Sequence, residues 1–349
     1  MNILIIGPSW VGDMVMAQTL FICLQQQHPG CAIDVLAPDW SRPILQRMPQ
    51  VRQALSFPLG HGALDLAIRR KIGKQLKGQY DQAILLPNSL KSALTPFFAG
   101  IPLRTGWKGE MRYGLLNDLR LLDKQRYPLM IERFMALAYP PAAELPKPYP
   151  RPSLQIDPAE RDSALQAFSL HVADRPVLAL CPGAEFGDAK RWPAQYYAQV
   201  AEAKIRQGWQ VWIFGSKNDH PGGEEIRQWL IPGLREEVYN LAGETSLAQA
   251  IDLMSCATAV VSNDSGLMHV AAALDLPLVA VYGSTSPEFT PPLAEQVAMV
   301  RTGIECSPCF DRTCRFGHYD CLRLLKPQRV IDALTDLVGT PLSLQEPII

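Results

Sequence analysis

Short apolar runs that stop at glycine or proline and give way to a helix pattern are the feature that most limits how this chain can fold. Asn2-Ile-Leu-Ile-Ile6 stops at Gly7-Pro8, a helix pattern covers Gly12–Gln27, and a second run follows at Ala32–Ala37. Asp81–Leu86 repeats the theme. Runs this short and this unbroken suit strands buried on both faces, as in a parallel sheet covered by helices. Strands alternating with helices give a βαβ architecture.

At 349 residues the chain is too long for one ordinary core, and two domains are expected. Six prolines stand between Pro140 and Pro152. Proline lacks an amide donor and resists helix and sheet, so this segment reads as an extended linker and a hinge. The pattern then restarts, with strands expected at Val177–Cys181, Gln210–Phe214, Ala257–Val261 and Leu278–Tyr282. The reading is an α/β protein of two Rossmann-like, doubly wound domains. Residues 1–150 form the first and residues 151–325 the second. Residues 326–349 form a C-terminal helix and tail, with the helix at Pro327–Val338, packing on either domain, the N-terminal one included. Two such domains facing each other leave a cleft at the carboxyl ends of their strands, where open α/β sheets bind ligands.

Apolar residues at 48% and charged residues at 19% describe a globular chain. A formal net charge of −1 argues against a nucleic-acid binder driven by bulk charge. The first residues lack a basic n-region and a cleavage site, so no signal peptide is expected. No apolar run is long enough to span a membrane. Cys23, Cys31, Cys181 and Cys256 lie in or beside apolar stretches and read as buried thiols. A cytoplasmic enzyme is expected, with membrane association only at its surface.

Val261-Ser-Asn-Asp-Ser-Gly-Leu-Met-His269 follows a strand and opens a helix. Gly266 allows close backbone approach, and the amides of Ser265–Met268 would offer free N–H groups at a positive dipole end. A phosphate or diphosphate is the natural guest, and the alternative is an Asp or Ser N-cap on an ordinary core helix. His269 reads either as helix surface or as a ligand contact. Pro182-Gly-Ala-Glu-Phe-Gly-Asp-Ala-Lys-Arg-Trp-Pro193 follows another strand and carries Lys190 and Arg191, either for a leaving diphosphate or as a solvated loop. Gly183, Ser216, Asp219 and Thr245 stand in the remaining strand-end loops, where polar side chains meet a ribose or cap a helix.

In the first domain, Gly7-Pro-Ser-Trp-Val-Gly-Asp13 loosely resembles a dinucleotide loop, but Ser9 replaces the middle glycine. Asp13 at the helix start would repel a phosphate and suits a base aimed into the cleft, although the helix dipole should lower its pKa. A simple N-cap is the alternative. Asp65–Lys77 is a basic amphipathic segment with five cations, and Lys91, Arg104, Lys108 and Arg112 add to it. Such a run is either a solvated helix face or a surface for phosphates and lipid. Cys306, Cys309, Cys314 and Cys321, with His318 among them, read as structural zinc ligands, as free thiols, or as a disulfide formed on oxidation.

Together, GPSWVGDMVMA at the N-terminus, PGAEFGDAKRWP, and NDSGLMHVAAAL followed by VYGSTSP resemble the ADP-heptose:lipopolysaccharide heptosyltransferases over nearly the whole chain, and within them the type II subfamily. CSPCFDRTCRFGHYDC is similar to that subfamily too. The resemblance implies a two-domain GT-B fold and an inverting, metal-independent transfer with no cofactor. The implied donor is ADP-L-glycero-D-manno-heptose. The implied acceptor is the first heptose on Kdo–lipid A (heptosyl-Kdo-lipid A), at the cytoplasmic face of the inner membrane, with no nucleic acid as partner. By the same resemblance Asp13 matches the catalytic base and Lys190 the lysine that meets the donor phosphates. Asp264, Gly266, Leu267 and His269 match the donor loop and helix; Ser265, Gly183, Ser216, Asp219 and Thr245 are further donor-side candidates. Where the family often carries an acid near the ribose, this chain has Ser216-Lys217, and Asp219 is the candidate for that contact. Ser9, Gly12, Asn88, Lys91, Arg69 and Arg70 are the acceptor-side candidates. Another sugar-nucleotide enzyme such as an epimerase, a nicotinamide-binding Rossmann protein and a non-catalytic nucleotide-binding module are the competing readings.

Overall fold

The computed structural model describes residues 1–58, 63–172 and 175–339. The chain divides into two compact units, Met1–Gln155 with Glu288–Thr290, and Ile156–Pro287 with Pro291–Ile349.

The first unit is built on six strands: β1 (Asn2–Ile6), β2 (Ala32–Ala37), β3 (Val51–Ser56), β4 (Gln82–Leu85), β5 (Leu103–Trp107) and β6 (Asp118–Arg120). Their order is β3-β2-β1-β4-β5-β6, and every pair is parallel. The unbroken run Ile3-Leu-Ile-Ile6 is buried because β1 lies mid-sheet, with Ile3 in register with Ile33 on one side and Gln82 on the other. The helix Val11–Gln27 is buried continuously from Met14 to Phe21 and packs on the helix Met130–Met135.

The second unit repeats the plan with β7 (Val177–Cys181), β8 (Gln210–Ile213), β9 (Val238–Asn240), β10 (Ala259–Asn263), β11 (Leu278–Val281) and β12 (Val297–Val300). Its order, β12-β11-β10-β7-β8-β9, is again all parallel. Counted from each unit's first strand the two orders are the same doubly wound arrangement, 3-2-1-4-5-6. The α/β fold class of two Rossmann-like units read from the sequence is the observed one. In each unit the winding reverses between the first and fourth strands, β1 and β4 or β7 and β10, and the loops after those strands are where such sheets bind ligands.

Three features differ from the sequence reading. The proline-rich segment is anchored to the first unit. The Gln18 amide donates to Ser153 O and accepts from Ser153 N, each at 2.8 Å, and Tyr149 OH donates to Glu132 at 2.5 Å. The division therefore falls after Gln155 and not at residue 150. Glu288–Thr290 returns to the first unit, where Met130 N donates to Phe289 O and the Arg133 guanidinium lies 4.8 Å from the Phe289 ring centre. The helix Pro327–Val338 stays with the second unit, burying Val330 and Leu334 beside β10, β11 and β12 and the helix Ala194–Ile205.

Candidate active site

In the second unit, four loops at strand ends are locked together by buried polar groups. Asn263, the last residue of β10, is fully buried. It donates to Pro182 O at 2.6 Å and accepts from Tyr197 OH at 2.9 Å, tying the loop after β7 to the end of β10. Asp219 ties β7 to β8. Its carboxylate accepts from Ser216 N and Oγ at 2.9 and 2.7 Å and from Arg191 at 3.4 Å. Gly183 is required at that point, because a Cβ there would sit 2.5 Å from the Asp219 carboxyl carbon. Ser216 and Asp219 thus form the capping box of the short helix after β8, and the acid expected beside a ribose is occupied in holding loops together. Thr245 bonds back to Leu241 O, and Ser246 caps the helix Leu247–Met254.

Lys190 and Asp264 meet at the centre of these loops. Lys190 Nζ donates to Asp264 Oδ2 at 2.7 Å and to Asp264 O at 3.2 Å, while Thr285 Oγ1 donates to the same carboxylate oxygen at 2.6 Å. Both side chains are largely shielded, at 14% and 5% exposure. The ammonium also lies 4.9 Å from the Phe186 ring centre, and the Arg312 guanidinium lies 5.3 Å from the same ring. Asp264 is followed directly by the helix Gly266–Ala273. Among the described residues no side chain caps that helix, so the capped-core-helix alternative is not the one observed. The first amides, at the positive dipole end, sit beside a lysine that Asp264 holds in place. His269 is buried in this helix, and burial pushes its pKa down to about 4, with the Lys190 charge adding to the fall and Asp264 opposing it. It is a neutral imidazole at neutral pH.

In the first unit Asp13 sits partly buried in the first turn of the helix Val11–Gln27, directly after the β1 loop, with Trp10 at the N-cap. Ser9 is partly buried and Gly12 fully so. The N-cap alternative for Asp13 is excluded by its position inside the helix. Asn88 stands exposed at the end of the β4 loop, and its Oδ1 accepts from Arg112 at 3.3 Å.

The basic patch needs correction. Arg69 is buried, donates to the carbonyls of Ala63, Leu64 and Lys91, and lies 4.9 Å from the Phe57 ring centre. Arg112 is fully buried and donates to Pro87 O, Ser92 Oγ and Trp107 O. Arg104 donates to Ile101 O and Leu115 O. All three hold loops in shape; guanidinium groups gather several carbonyls at once, which charge counting along a sequence does not reveal. Arg70, Lys71, Lys74 and Lys77 remain exposed, with Lys91 partly so.

Sequence reasoning missed Thr285, Phe186 and Arg312. Thr285 lies in the quoted VYGSTSP stretch, but only the fold shows it reaching Asp264.

The description "Glycosyltransferase family 9 (heptosyltransferase)" fits residues 69–320. Lipopolysaccharide heptosyltransferase 2 of Escherichia coli is 51% identical over 97% of this chain and 99% of its own length. Lipooligosaccharide heptosyltransferase 2 of Haemophilus influenzae is 55% identical over 86% of this chain and 88% of its own. The solved structure of E. coli ADP-heptose lipopolysaccharide heptosyltransferase II superposes with a TM-score of 0.87 at 49% identity, covering 97% of this chain and 98% of that one. With a lysine, a carboxylate and helix amides together at the strand ends of one doubly wound unit and a carboxylate at those of the other, the chain belongs to glycosyltransferase family 9, the heptosyltransferases.

Proposed function

We propose that the protein transfers heptose from ADP-heptose to the first heptose of the lipopolysaccharide inner core, with inversion at the anomeric carbon. The observation that carries this reading is the Lys190–Asp264 pair beside the uncapped start of the helix Gly266–Ala273. An ammonium has three donors. Asp264 takes two of them, and the third reaches the donor diphosphate together with the amides of Ser265–Leu267. Identity of 51% with E. coli heptosyltransferase 2 over nearly the full chain supports the choice of sugar and acceptor.

In the step itself, an acceptor hydroxyl gives its proton to the Asp13 carboxylate as its oxygen bonds to the anomeric carbon. The bond from that carbon to the diphosphate oxygen breaks on the opposite side, and the electron pair leaves with ADP. The charge growing on the leaving group is met by Lys190 and the helix amides, which are preorganised and so need no rearrangement as it develops. Ser9, Gly12, Asn88 and Lys91 lie on the acceptor side in this reading. His269, neutral and buried, supports the donor helix from within.

Residues Arg70, Lys71 and Lys74, exposed on one helix, with Lys77 exposed in the turn after it and Leu64 and Leu66 exposed at its start, are the surface proposed to rest on anionic lipid at the inner face of the cytoplasmic membrane. Among the described residues no helix is long and apolar enough to cross a membrane. The function is tested by incubating the protein with ADP-heptose and a Kdo–lipid A carrying one heptose, and weighing the lipid by mass spectrometry. Addition of one heptose is expected. Hydrolysis or isomerisation of the donor with no change in the lipid would overturn the reading.

A further inference from the structure

The four C-terminal cysteines, which the transfer chemistry does not use, converge on one small cavity. Cys306, Cys309, Cys314 and Cys321 line it with His318, Arg315, Phe316, Ala189 and Ser284, and its volume is about 20 Å³. That is room for about one water-sized sphere. A cavity this small, lined by four cysteines, suits a single atom and not a molecule.

The surroundings fit a thiolate site. The Ser284 hydroxyl is buried and has no hydrogen-bond partner among the described residues, although Ser284 lines the same cavity. A buried hydroxyl without a partner is destabilising, a loss that a metal-bound thiolate would remove by accepting its hydrogen bond. His318 is already engaged, since its Nδ1 accepts from Asp320 N at 2.9 Å; in the neutral ring Nε2 then carries the hydrogen and cannot ligate.

We propose that Cys306, Cys309, Cys314 and Cys321 bind one thiophilic divalent cation, zinc in the first instance, as a closed tetrahedral structural site. The intervals of two and four residues between the first three cysteines are those of such knuckles. Among the described residues no group of three or more His, Cys, Asp or Glu side chains is already gathered to hold an ion, so binding draws the thiols inward about their side-chain torsions. Arg315 offsets part of the charge of four thiolates.

The knuckle is joined to the Lys190 loop. Cys309 N and Phe310 N donate to Ser284 O, Ser307 Oγ donates to Gly283 O, and Ala189 N donates to Arg312 O. Gly187, at φ +151, lets the Arg312 carbonyl approach where a Cβ would collide with it. A metal at the four cysteines therefore braces the backbone just before Lys190 while taking no part in transfer.

The test is metal analysis of the full-length chain purified without chelator, with cobalt(II) as the spectroscopic probe. About one zinc per chain is expected, and cobalt added to the metal-free protein is expected to give sulfur-to-cobalt charge transfer and the intense visible bands of a tetrahedral site. A Cys306→Ser/Cys309→Ser variant should lose both signals. Should that variant fail to fold, Ser284→Ala keeps all four thiols and should weaken zinc about 10- to 100-fold, as loss of an outer-shell partner does. No zinc retained after equilibrium dialysis, with the four thiols equally reactive toward a thiol reagent in the presence and absence of zinc, would overturn the site. So would their recovery as disulfides after purification under reducing conditions.

Discussion

Lys190 and Asp264 lie 74 positions apart in the chain, yet the ammonium sits 2.7 Å from the carboxylate at the point where the second sheet reverses its winding. The carboxylate is the lysine's anchor, and Thr285 is the carboxylate's. The cation is thus fixed before any anion arrives, and little ordering is left to do on binding.

Replacing Lys190 with alanine removes the pocket's central cation. ADP affinity should fall about 10-fold or more, since hydrogen bonds between charged groups contribute roughly 1.5–3 kcal/mol. The rate should fall further still, because the charge on the diphosphate is greatest as it departs. Calorimetry and steady-state kinetics measure the two effects, and unchanged values for both would make Lys190 a surface residue.

His269 makes the second unit acid-sensitive. Its folded pKa lies near 4, below the ordinary 6.5, so the unfolded chain takes up this proton first as pH falls. Stability is fully present above pH 6.5 and declines until the pH reaches about 4. The gap corresponds to about 3 kcal/mol. A His269→Leu variant should lose that much less than the parent over the same interval, as read from urea midpoints. Parallel loss in both chains would contradict the assignment.

Gly183→Ala would push a methyl group into the Asp219 carboxyl. Over-packing of this kind costs about 1–3 kcal/mol. Melting temperature should drop, and ADP affinity should weaken with it, because Asp219 holds the loops after β7 and β8 in register. A variant as stable as the parent would show that the two loops separate freely.

Leaving-group charge in this account is met by a lysine and helix amides. Turnover should therefore proceed without added magnesium or manganese. A strict requirement for either would contradict the account.

Most inner strands were legible because burial on both faces demands apolar residues throughout; β1, β2 and β7 match their expected limits, while the inner strand Leu103–Trp107, exposed at its start, was not read. The edge strands β3, β6, β9 and β12 were not. Val51–Ser56 has no fully buried residue, and Asp118–Arg120 and Val238–Asn240 are three residues each, so their sequences carry little apolar pattern. The positions of Lys190, Asp264 and Gly266 at strand ends were readable from loops that follow apolar runs, but not the contact between Lys190 and Asp264. Arg69 was misjudged, because helical spacing gives no sign that a guanidinium will turn inward to collect three carbonyls. Asp219 was placed at the right loop, but its hold on Ser216 and Arg191 was not readable, since only the fold brings those groups and Gly183 against it.

The division of labour between the two units is the central claim, and turnover and ADP affinity of Asp13→Asn test it most directly. The change keeps the side chain's shape and removes its capacity as a base. Turnover should fall about 100-fold or more while ADP affinity stays within about 2-fold of the parent's. Near-normal turnover would remove Asp13 from the chemistry, and a collapse of ADP affinity would place it with the donor.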